Sequence, residues 1–453
     1  MKNIIKISAL FIAIITASNS CFAFPAGKIE KIIEKSNLEG ITTIAISVKD
    51  ASSGKTVYER DSKKLLHPAS TLKIPIAYFA INTLGYDYLF KTGFYTHNKD
   101  LYIKLGADPF LNTNQLKIAF KALKDKGLNT FENLYIDDSI IDKKESAAGW
   151  MWDDDVNPHT PKISAYNLDK NLIKVNISQL SDGTVKATPA SKYPMSIFAY
   201  IQKNEKSDYY DINRYNWDNP ELVEIYANVA STKPLYIPIS SMRRYFIYNT
   251  ENIIEDERIT VKSTSYSSKL VPEEAEMVYE ITNPIEPSLT GILYDSNNLM
   301  SETIYKLAGG HKYGITGTDI AGLSAMTEFY KDYNIDFDNV LIKDGSGVSR
   351  KNLVSTDWMS NILLQIYKNK NFDKFKQYLA QPGDGTLSQR LFDLRGDAWL
   401  KTGSLSGIST IAGYINSKDG NTYAIAIFTQ NFKEKQKDIK KIEDDIINLI
   451  YNR

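Results

Sequence analysis

Two strand-turn-strand patterns stand at opposite ends of this chain of 453 residues. The first covers residues 41–59 and turns at 50–54, and the second covers 408–429 and turns at 417–420. β-branched and other apolar residues fill the strands, while Gly, Asp and Ser mark the turns. Because helical periodicity flanks both patterns, we expect one sheet built from both chain ends, with the middle of the chain inserted as separate modules.

A chain of this length needs more than one hydrophobic core, and its patterns change along the way. Helix and strand patterns alternate after residue 95, whereas the stretch before residue 233 has short β runs alone. Pro272, Pro284 and Pro287 are interpreted as a linker back to the main domain. The predicted fold class is α+β, with a main domain at 24–91 and 273–453, an inserted α+β domain at 92–163 and 234–272, and a small all-β insert at 164–233.

The N-terminus has the form of a secretory signal peptide. Lysines precede an apolar run at 7–17 that is too short to span a bilayer, and small residues precede a cut after Ala23. We therefore expect residues 1–23 to be removed and the protein to be exported to the periplasm, soluble or loosely membrane-associated. Removal takes away Cys21, the one cysteine of the chain, so no disulfide or thiolate metal site is expected.

Charge limits the partners that this chain can bind. It has 54 basic and 54 acidic residues, so nucleic acid is not expected as a partner. The C-terminal helical pattern carries lysines between residues 433 and 441, where contact with a membrane surface is conceivable. We favour an apolar helix face packed on the sheet with these lysines in water. The sequence indicates no oligomeric state.

A serine followed three residues later by a lysine opens an apolar helical pattern. Positions i and i+3 share a helix face, so the Ser70 hydroxyl and the Lys73 amine are expected within hydrogen-bond reach. A serine becomes a nucleophile when a base takes its proton, and a lysine is such a base when burial or a nearby cation favours its neutral form. Ser52 and Lys55 have the same spacing, but they lie in a turn and are interpreted as a solvated loop.

Two further segments complete a set of three motifs. Ser296-Asn297-Asn298 stands at a helix start, where a serine alone would be interpreted as a helix cap. Lys401-Thr402-Gly403-Ser404 stands immediately before the strand at residue 408. A copy of Lys-Thr-Gly at residues 91–93 is set aside, because we expect no comparable strand pair beside it. The order Ser-x-x-Lys, Ser-x-Asn, Lys-Thr-Gly is the motif set of the penicillin-recognising serine enzymes.

With these motifs, the chain resembles the D-alanyl-D-alanine carboxypeptidases/endopeptidases among the class C low-molecular-mass penicillin-binding proteins. The long gap between Ser70 and Ser296 matches the large insert of that family. Supporting signatures lie at residues 106–109, 136–139, 149–152, 344–350, 383–387 and 400–405. The resemblance implies a penicillin-binding/β-lactamase-like transpeptidase domain, an antiparallel sheet flanked by helices, that uses neither a cofactor nor a metal.

The resemblance also implies a role for each motif residue. Ser70 would attack the carbonyl of a D-alanyl-D-alanine peptide, and Lys73, kept neutral partly by the cation Lys401, would take its proton. Ser296 would relay a proton toward the leaving amine. Lys401 would also bind the terminal carboxylate of the substrate.

The remaining motif residues are implied to bind the substrate. Asn298 would hydrogen-bond its backbone, and Thr402 would help to hold its carboxylate. Gly403 and Ser404 would continue this binding segment. The backbone N–H groups of Ser70 and Ser404 would form an oxyanion hole, aimed at the charge that develops in the transition state.

Relatives are similar in holding the free end of a diaminopimelate side chain between an acid and an arginine. The matching positions are Asp154 and Arg350. Asp154 is one of three consecutive aspartates, so a solvated acidic loop stays an alternative. His159 and Ser406 depart from the family pattern, in which an aromatic residue and a longer polar side chain are usual.

Other hydrolase classes lack their motifs. The chain has four histidines but no Gly-x-Ser-x-Gly elbow and no His-Glu-x-x-His, and residues 345–347 are interpreted as a tight turn. The predicted function is a carboxypeptidase/endopeptidase that acts on peptidoglycan stem peptides and cross-bridges through an acyl-serine and that β-lactams inhibit. A weakly catalytic β-lactam sensor or peptidoglycan-binding scaffold stays open, as does a β-lactamase.

Overall fold

The computed structural model describes residues 24–453 except 37, 39, 183, 204–207, 215–218 and 231, so the predicted signal peptide lies outside the described residues. The helices are α1 Ala26–Lys35, α2 Lys73–Leu84, α3 Thr113–Asp125, α4 Met242–Asp256, α5 Glu286–Leu293, α6 Asn298–Tyr313, α7 Asp319–Lys331, α8 Thr356–Tyr367, α9 Phe372–Lys376 and α10 Gln436–Tyr451. The strands are β1 Thr43–Asp50, β2 Thr56–Arg60, β3 Leu89–His97, β4 Asp100–Lys104, β5 Thr130–Asp137, β6 Leu172–Gln179, β7 Val185–Pro189, β8 Ser196–Lys203, β9 Tyr209–Asn213, β10 Leu222–Val229, β11 Leu235–Pro238, β12 Thr260–Ser268, β13 Glu276–Pro284, β14 Ala398–Leu405, β15 Ile408–Asn416 and β16 Thr422–Gln430.

The two chain ends form one five-stranded sheet in the order β14-β15-β16-β1-β2. The N-terminal strand β1 pairs antiparallel with the C-terminal strand β16, with Thr43 opposite Gln430 at one end of the pairing. The turn between β1 and β2 closes because the backbone N–H and the hydroxyl of Ser53 both donate to Asp50 Oδ1, each at 2.7 Å. The sheet predicted from the two strand-turn-strand patterns, and the α+β fold class, are confirmed.

Both faces of this sheet are buried, which explains the nearly unbroken apolar runs of β15 and β16. On β16, Ala426 and Phe428 belong to a core shared with α2 and α8, while Ile425 and Ile427 belong to a second core shared with α1 and α10. The helix α2 is buried on all sides from Lys73 to Ile81, as expected of a helix in the centre of a large protein. The sheet is therefore the middle of three layers.

The middle of the chain builds a second five-stranded sheet in the order β12-β5-β4-β3-β13. The helix α3, which packs near it, begins in a capping box, because Asn112 Oδ1 accepts from Gln115 N at 3.0 Å and Gln115 Oε1 accepts from Asn112 N at 3.1 Å. Two three-stranded sheets, β11-β6-β7 and β8-β10-β9, account for the all-β character of the stretch before residue 233.

Two strands that the sequence did not predict change the interpretation of two segments. The proline-marked linker contains β13, which pairs antiparallel with β3. Pro284 is its last residue, a position where a missing N–H costs the ladder little. The Lys-Thr-Gly copy at 91–93 lies inside β3, between β4 and β13, so the expectation that no strand pair accompanies it is wrong.

The third motif stands immediately before the strand at residue 408, as predicted, because β15 begins at Ile408. Lys401-Thr402-Gly403 also lies within a further strand, β14, which begins at Ala398. The domain boundaries stay a prediction, and strand pairing crosses two of them. β13 joins the sheet of the inserted segment although it follows residue 273, and β11 pairs with β6 although it follows residue 234.

Replacing Ile427 by alanine tests whether the sheet shared by the chain ends carries much of the stability. Ile427 is fully buried and pairs with Ile46 of β1, so the variant should lose about 2–5 kcal/mol of unfolding free energy. The control Ile41→Ala removes a side chain that is 69% exposed and should change stability by less than about 0.5 kcal/mol. Denaturant unfolding measures both, and equal midpoints would contradict the shared core.

Candidate active site

Ser70 lies in a short 3-10 helix, Ala69–Leu72, that runs directly into α2. Side chains at i and i+3 eclipse in a 3-10 helix, which brings Ser70 Oγ and Lys73 Nζ to 2.9 Å. Ala69, just before the serine, has a φ of +43°, in a region that non-glycine residues rarely adopt. The predicted serine–lysine pair is therefore brought together, on a backbone that its surroundings hold in an unusual conformation.

Those surroundings are two glycine-containing segments that press against Ala69 and Ser70. A Cβ on Gly403 of β14 would lie 2.8 Å from Ser70 N, and a Cβ on Gly347 would collide with Ala69 O. Gly347 also has a φ of +84°, so glycine is favoured there both by its backbone conformation and by the lack of space for a Cβ. The Ser-x-x-Lys and Lys-Thr-Gly segments thus meet at the serine, together with the loop after Asp344.

Lys73 Nζ has three neighbours that fit a neutral amine. Two are acceptors alone: Asn298 Oδ1, at 2.5 Å, and the backbone oxygen of Ser346. The orientation of the Asn298 amide follows from its Nδ2, which donates to His159 O at 2.7 Å. A neutral amine has two N–H donors, and both are used by these acceptors. Its lone pair is then left for the Ser70 hydroxyl, which is the geometry of a general base.

Burial also favours the neutral amine. Lys73 is fully buried, and this desolvation lowers its pKa from 10.5 to about 7 against the opposing effects of Asp344 and Glu302. That Lys401 helps to keep Lys73 neutral stays a prediction. For Lys401 itself, burial, and then the like charge of Lys73, hold the pKa well below its usual value. Lys401 Nζ donates to Thr402 O at 2.9 Å.

The Ser-x-Asn motif stands at the first turn of α6. The cap is Asn297, whose Oδ1 accepts from Met300 N at 3.0 Å, so interpreting Ser296 as the helix cap is wrong. Ser296 has a φ of +65° and is half-buried immediately before the cap. Asn298 is brought directly to Lys73, whereas the proton relay through Ser296 stays a prediction.

The last residues of β14 approach solvent. Thr402 is buried, whereas the side chain of Ser404 is exposed and its Oγ accepts from Gln436 Nε2 at 3.3 Å. The Ser404 side chain is therefore directed away from the serine–lysine pair. This placement suits the implied use of its backbone N–H, and the role itself stays a prediction.

A buried carboxylate organises the loop that faces Lys73, although the sequence named this loop only as a supporting signature. Asp344 accepts five hydrogen bonds, from Gly347 N, Ser349 N, Ser346 Oγ, Asn352 Nδ2 and Trp150 Nε1, at 2.6–3.1 Å. These bonds fix the turn that presents the Ser346 backbone oxygen to Lys73. Residues 345–347 form a turn as predicted, but the turn also lines the base.

A second buried acid, Glu302, was missed in the sequence. It stands one helical turn after Asn298 on α6, is fully buried, and accepts from Gly345 N at 2.9 Å. Burial, followed by the charge of Asp344, raises its pKa to about 8. The i, i+4 spacing from Asn298 on a buried helix was the signal that could have found it.

The predicted acid–arginine pair is not joined. Asp154 lines a cavity of about 510 Å³ beside Trp150 and Trp152. Arg350 is exposed, and its backbone N–H donates to Gly149 O at 3.1 Å, near the start of the same loop. No ion pair links Asp154 to Arg350 within the described part of the chain, so the clamp stays a prediction.

The histidines take structural positions at this site. His67 Nδ1 accepts from Ala69 N at 3.0 Å, so its Nε2 donates to Ser349 O at 2.6 Å, and burial lowers its pKa. His159 is exposed and contributes its backbone oxygen to Asn298. Lys73 is thus the base that the described residues place at the serine.

The sequence from residue 26 to residue 452 matches the model of one peptidase family. The chain belongs to the D-Ala-D-Ala carboxypeptidase 3 (S13) family. Among the relatives of this S13 protein, a D-alanyl-D-alanine carboxypeptidase of Actinomadura sp. strain R39 is 25% identical over 86% of this chain and 78% of its own length. The D-alanyl-D-alanine carboxypeptidase DacB of Haemophilus influenzae is 22% identical over 93% of this chain and 92% of its own.

Solved structures resemble the S13 protein over nearly the whole described chain. Penicillin binding protein 4 of Haemophilus influenzae superposes with a TM-score of 0.81 at 21% identity, covering 94% of this chain and 99% of its own. A predatory peptidoglycan endopeptidase of Bdellovibrio bacteriovorus reaches a TM-score of 0.50 at 15% identity, covering 90% and 92%. At these identities the likeness establishes the fold.

The lowered pKa of Lys73 predicts how the reactivity of Ser70 depends on pH. The amine accepts a proton only when neutral, so labelling by a fluorescent penicillin should rise from pH 5 to pH 9 with a midpoint near 7. Glu302 favours the ammonium form of Lys73 only when it is ionised, and its pKa of about 8 leaves it mainly protonated at this midpoint, so Glu302→Gln should move the midpoint only slightly, to lower pH. The control Glu443→Gln alters another buried glutamate, which pairs with Arg390, and should leave the midpoint unchanged. A midpoint near 10 would contradict the buried neutral amine.

Proposed function

We propose that this S13 protein is a serine D-alanyl-D-alanine carboxypeptidase, with endopeptidase activity, that acts on peptidoglycan stem peptides and cross-bridges. The observation that carries the proposal is the contact of the fully buried Lys73 Nζ with Asn298 Oδ1 and with Ser70 Oγ, whose residue is half-buried. It supplies a nucleophile, a base of suitable pKa and a substrate-binding amide at one point, which is what acyl transfer through serine requires.

In the proposed reaction, Ser70 Oγ forms a bond to the carbonyl carbon of the penultimate D-alanine while its proton passes to Lys73 Nζ. The oxyanion that forms would be held by the backbone N–H groups of Ser70 and Ser404. The C–N bond then breaks, and the leaving amine takes the proton from Lys73 through Ser296. Water then attacks the resulting ester and gives a proton to the same lysine. The bond between Ser70 Oγ and the carbonyl carbon breaks, the lysine returns the proton to Ser70 Oγ, and the shortened peptide leaves.

Substrate binding is assigned to groups that line this centre. Lys401 and Thr402 would hold the terminal carboxylate, and binding of an anion would restore the ammonium form of Lys401 despite its burial. Asp154 and Arg350 would select substrates that carry a free amine on the side chain of the stem peptide. This pocket stays a proposal alongside the rest of the site.

The periplasm is the proposed location, because peptidoglycan lies outside the cytoplasmic membrane and the N-terminus has the pattern of a signal peptide. Among the helices that the structure describes, none is long and apolar enough to cross a bilayer. We propose no membrane role for the lysines after residue 433.

A weakly catalytic binder of β-lactams is the second candidate, because acylation and hydrolysis are separate steps and a slow second step leaves the enzyme acylated. Steady-state release of D-alanine separates the two functions. Repeated turnover supports the peptidase, whereas a single equivalent of D-alanine supports the binder. Mass spectrometry of digested muropeptides would then show whether pentapeptides are trimmed, cross-bridges are cut, or both.

Replacing Ser70 or Lys73 by alanine tests the proposed mechanism. Either change should lower kcat for D-alanine release by at least about 10³-fold, because each removes a group that acts in the transition state. Ser52→Ala and Lys55→Ala are matched controls, since this exposed pair has the same spacing in a turn, and both should keep full activity. Release by Ser70→Ala at the normal rate would refute the acyl-serine mechanism.

A further inference from the structure

The small sheet β8-β10-β9 packs one face on the protein and leaves the other face in water. Along β10, Val223, Ile225 and Ala227 are buried, and the residues between them are half-buried or exposed. Residues that pair on neighbouring strands share a face, so the water-facing side carries four large aromatic side chains, each at least 42% exposed: Phe198, Tyr200, Tyr209 and Tyr226. The hydrophobic core does not account for these four residues, because it lies against the opposite face.

Two of these tyrosines stack on each other. Tyr200 of β8 pairs with Tyr226 of β10, and their ring centroids lie 4.9 Å apart with 8° between the ring planes. Cross-strand stacking holds both side chains in place, while 60% of Tyr200 and 42% of Tyr226 stay open to water. A ligand that stacks on this pair therefore meets rings that are already ordered, which lowers the entropy cost of binding.

The neighbours of the aromatic side chains on this face are acids and amides. The strand register places them beside the aromatic residues, at Gln202, Asp211, Asn213, Glu224 and Asn228. Asp211 is opposite Tyr226, for example, and its Oδ1 accepts from Asn213 Nδ2 at 3.3 Å. No lysine or arginine stands among these aromatic and polar residues described for the face. The face thus combines aromatic rings with hydrogen-bonding groups, and its only charges are negative.

This combination fits a carbohydrate chain. The π-face of an aromatic ring is negative and attracts the C–H groups on the flat side of a sugar ring, while carboxylates and amides hydrogen-bond to the hydroxyl and N-acetyl groups of the sugar. A nucleic acid or an anionic membrane would need lysines or arginines here. A second copy of the same face would bring Asp211 and Glu224 of both copies together with no cation between them.

The face is continuous with a groove beside the active-site loop. Asp211 and its neighbours on β9 line a cavity of about 530 Å³, and the other wall of this cavity comes from the segment between Trp152 and Pro158. The next residue, His159, accepts a hydrogen bond at 2.7 Å through its backbone oxygen from Nδ2 of Asn298, the partner of Lys73. The groove therefore connects the aromatic face to the loop that contacts the catalytic centre.

We propose that this aromatic face is a binding site for the glycan chain of peptidoglycan, the carbohydrate to which the stem peptides are attached. The inference rests on the proposed function, because that function places such a chain next to the protein during cleavage. The small all-β part of the chain then holds the polymer while the serine site cleaves its peptides. It affects how well polymeric substrate binds and leaves the chemical step unchanged.

Titration calorimetry with chitohexaose, an uncharged β-1,4-linked chain of N-acetylglucosamine, tests this site without involving the peptidase. The unaltered protein should bind the sugar, and Tyr200→Thr combined with Tyr226→Thr should weaken binding at least about tenfold, because both stacked rings are lost. Threonine is chosen because it keeps the preference for a strand. Tyr200→Phe keeps the ring, so it should change the dissociation constant less than about twofold.

Tyr236→Thr is the matched control for the double variant. Tyr236 is also a tyrosine on a strand and is 47% exposed, but it lies on β11 of the other small sheet. Its replacement should therefore leave the binding of chitohexaose unchanged. Because the sugar is uncharged, raising the salt concentration from about 0.05 M to about 0.5 M should also change binding less than about twofold.

Release of D-alanine from two substrates separates binding of the polymer from the chemical step. With glycan chains that carry pentapeptides, the double variant should raise KM about tenfold and keep kcat, because only binding of the polymer is weakened. With the same pentapeptide free of sugar, both constants should stay within about twofold of those of the unaltered protein.

Each alternative outcome has its own meaning. No binding of chitohexaose by the unaltered protein, or equal binding by the double variant and Tyr236→Thr, would overturn the inference and leave the peptidase intact. Binding of a lysine-rich peptide in place of chitohexaose, or a dimer that the double variant dissociates, would assign the face to another partner and overturn the inference as well.

Failure of the proposed function has a different signature. If the unaltered protein bound chitohexaose but released D-alanine from neither substrate, the peptidase would fail while the carbohydrate site would stand. If the double variant does not fold, Tyr200→Thr alone must still weaken binding at least about threefold, and an unchanged dissociation constant would refute the inference.

Discussion

The burial of one lysine amine is the constraint on which the rest of this structure depends. Burial removes water from Lys73 and so disfavours its ammonium form. The fall of its pKa from 10.5 to about 7 means that the ammonium form is less favourable, relative to the neutral amine, by about 5 kcal/mol than it is in water. The fold accommodates this cost by making α2 a central helix, packed on one side by the sheet core and on the other by α6. A surface helix with the same motif could hold the two side chains together, but it could not supply the base.

The acids around Lys73 limit how far burial lowers its pKa. Asp344 and Glu302 both favour the ammonium form, yet they do so unequally, because Asp344 accepts five hydrogen bonds while burial favours the protonated form of Glu302. Lys401 is a second buried lysine, and the charge of Lys73 disfavours its ammonium form. Before a substrate carboxylate binds, most of the ionisable groups around Lys73 are therefore neutral. The site in this way largely avoids unpaired buried charges, which are costly.

The sequence patterns predicted those elements that are determined by residues close together in the chain. The Ser70–Lys73 contact follows from spacing, and the two end hairpins follow from alternation and turn residues. Strands β3 and β13 were missed because each is stabilised by the other, and the inserted segment separates them in the sequence. Pro284 at the end of β13, with Pro272 before it and Pro287 after it, indicated a linker instead. The ion pair between Asp155 and Arg214 could not be predicted either, because the two residues are 59 positions apart in the sequence.

The pairing of β1 with β16 has a consequence for when the protein becomes active. Thr43 and Gln430 are partners, so β1 cannot pair on this side until β16, which lies 387 residues further along the chain at this position, has been synthesised. Pairings of such long sequence separation form late and slowly. A nascent chain that ends at residue 404 carries all three motifs, but it lacks β15 and β16 and therefore has no complete sheet against which the Ser70 segment can pack. The chain can hydrolyse its substrate only after these strands have been synthesised.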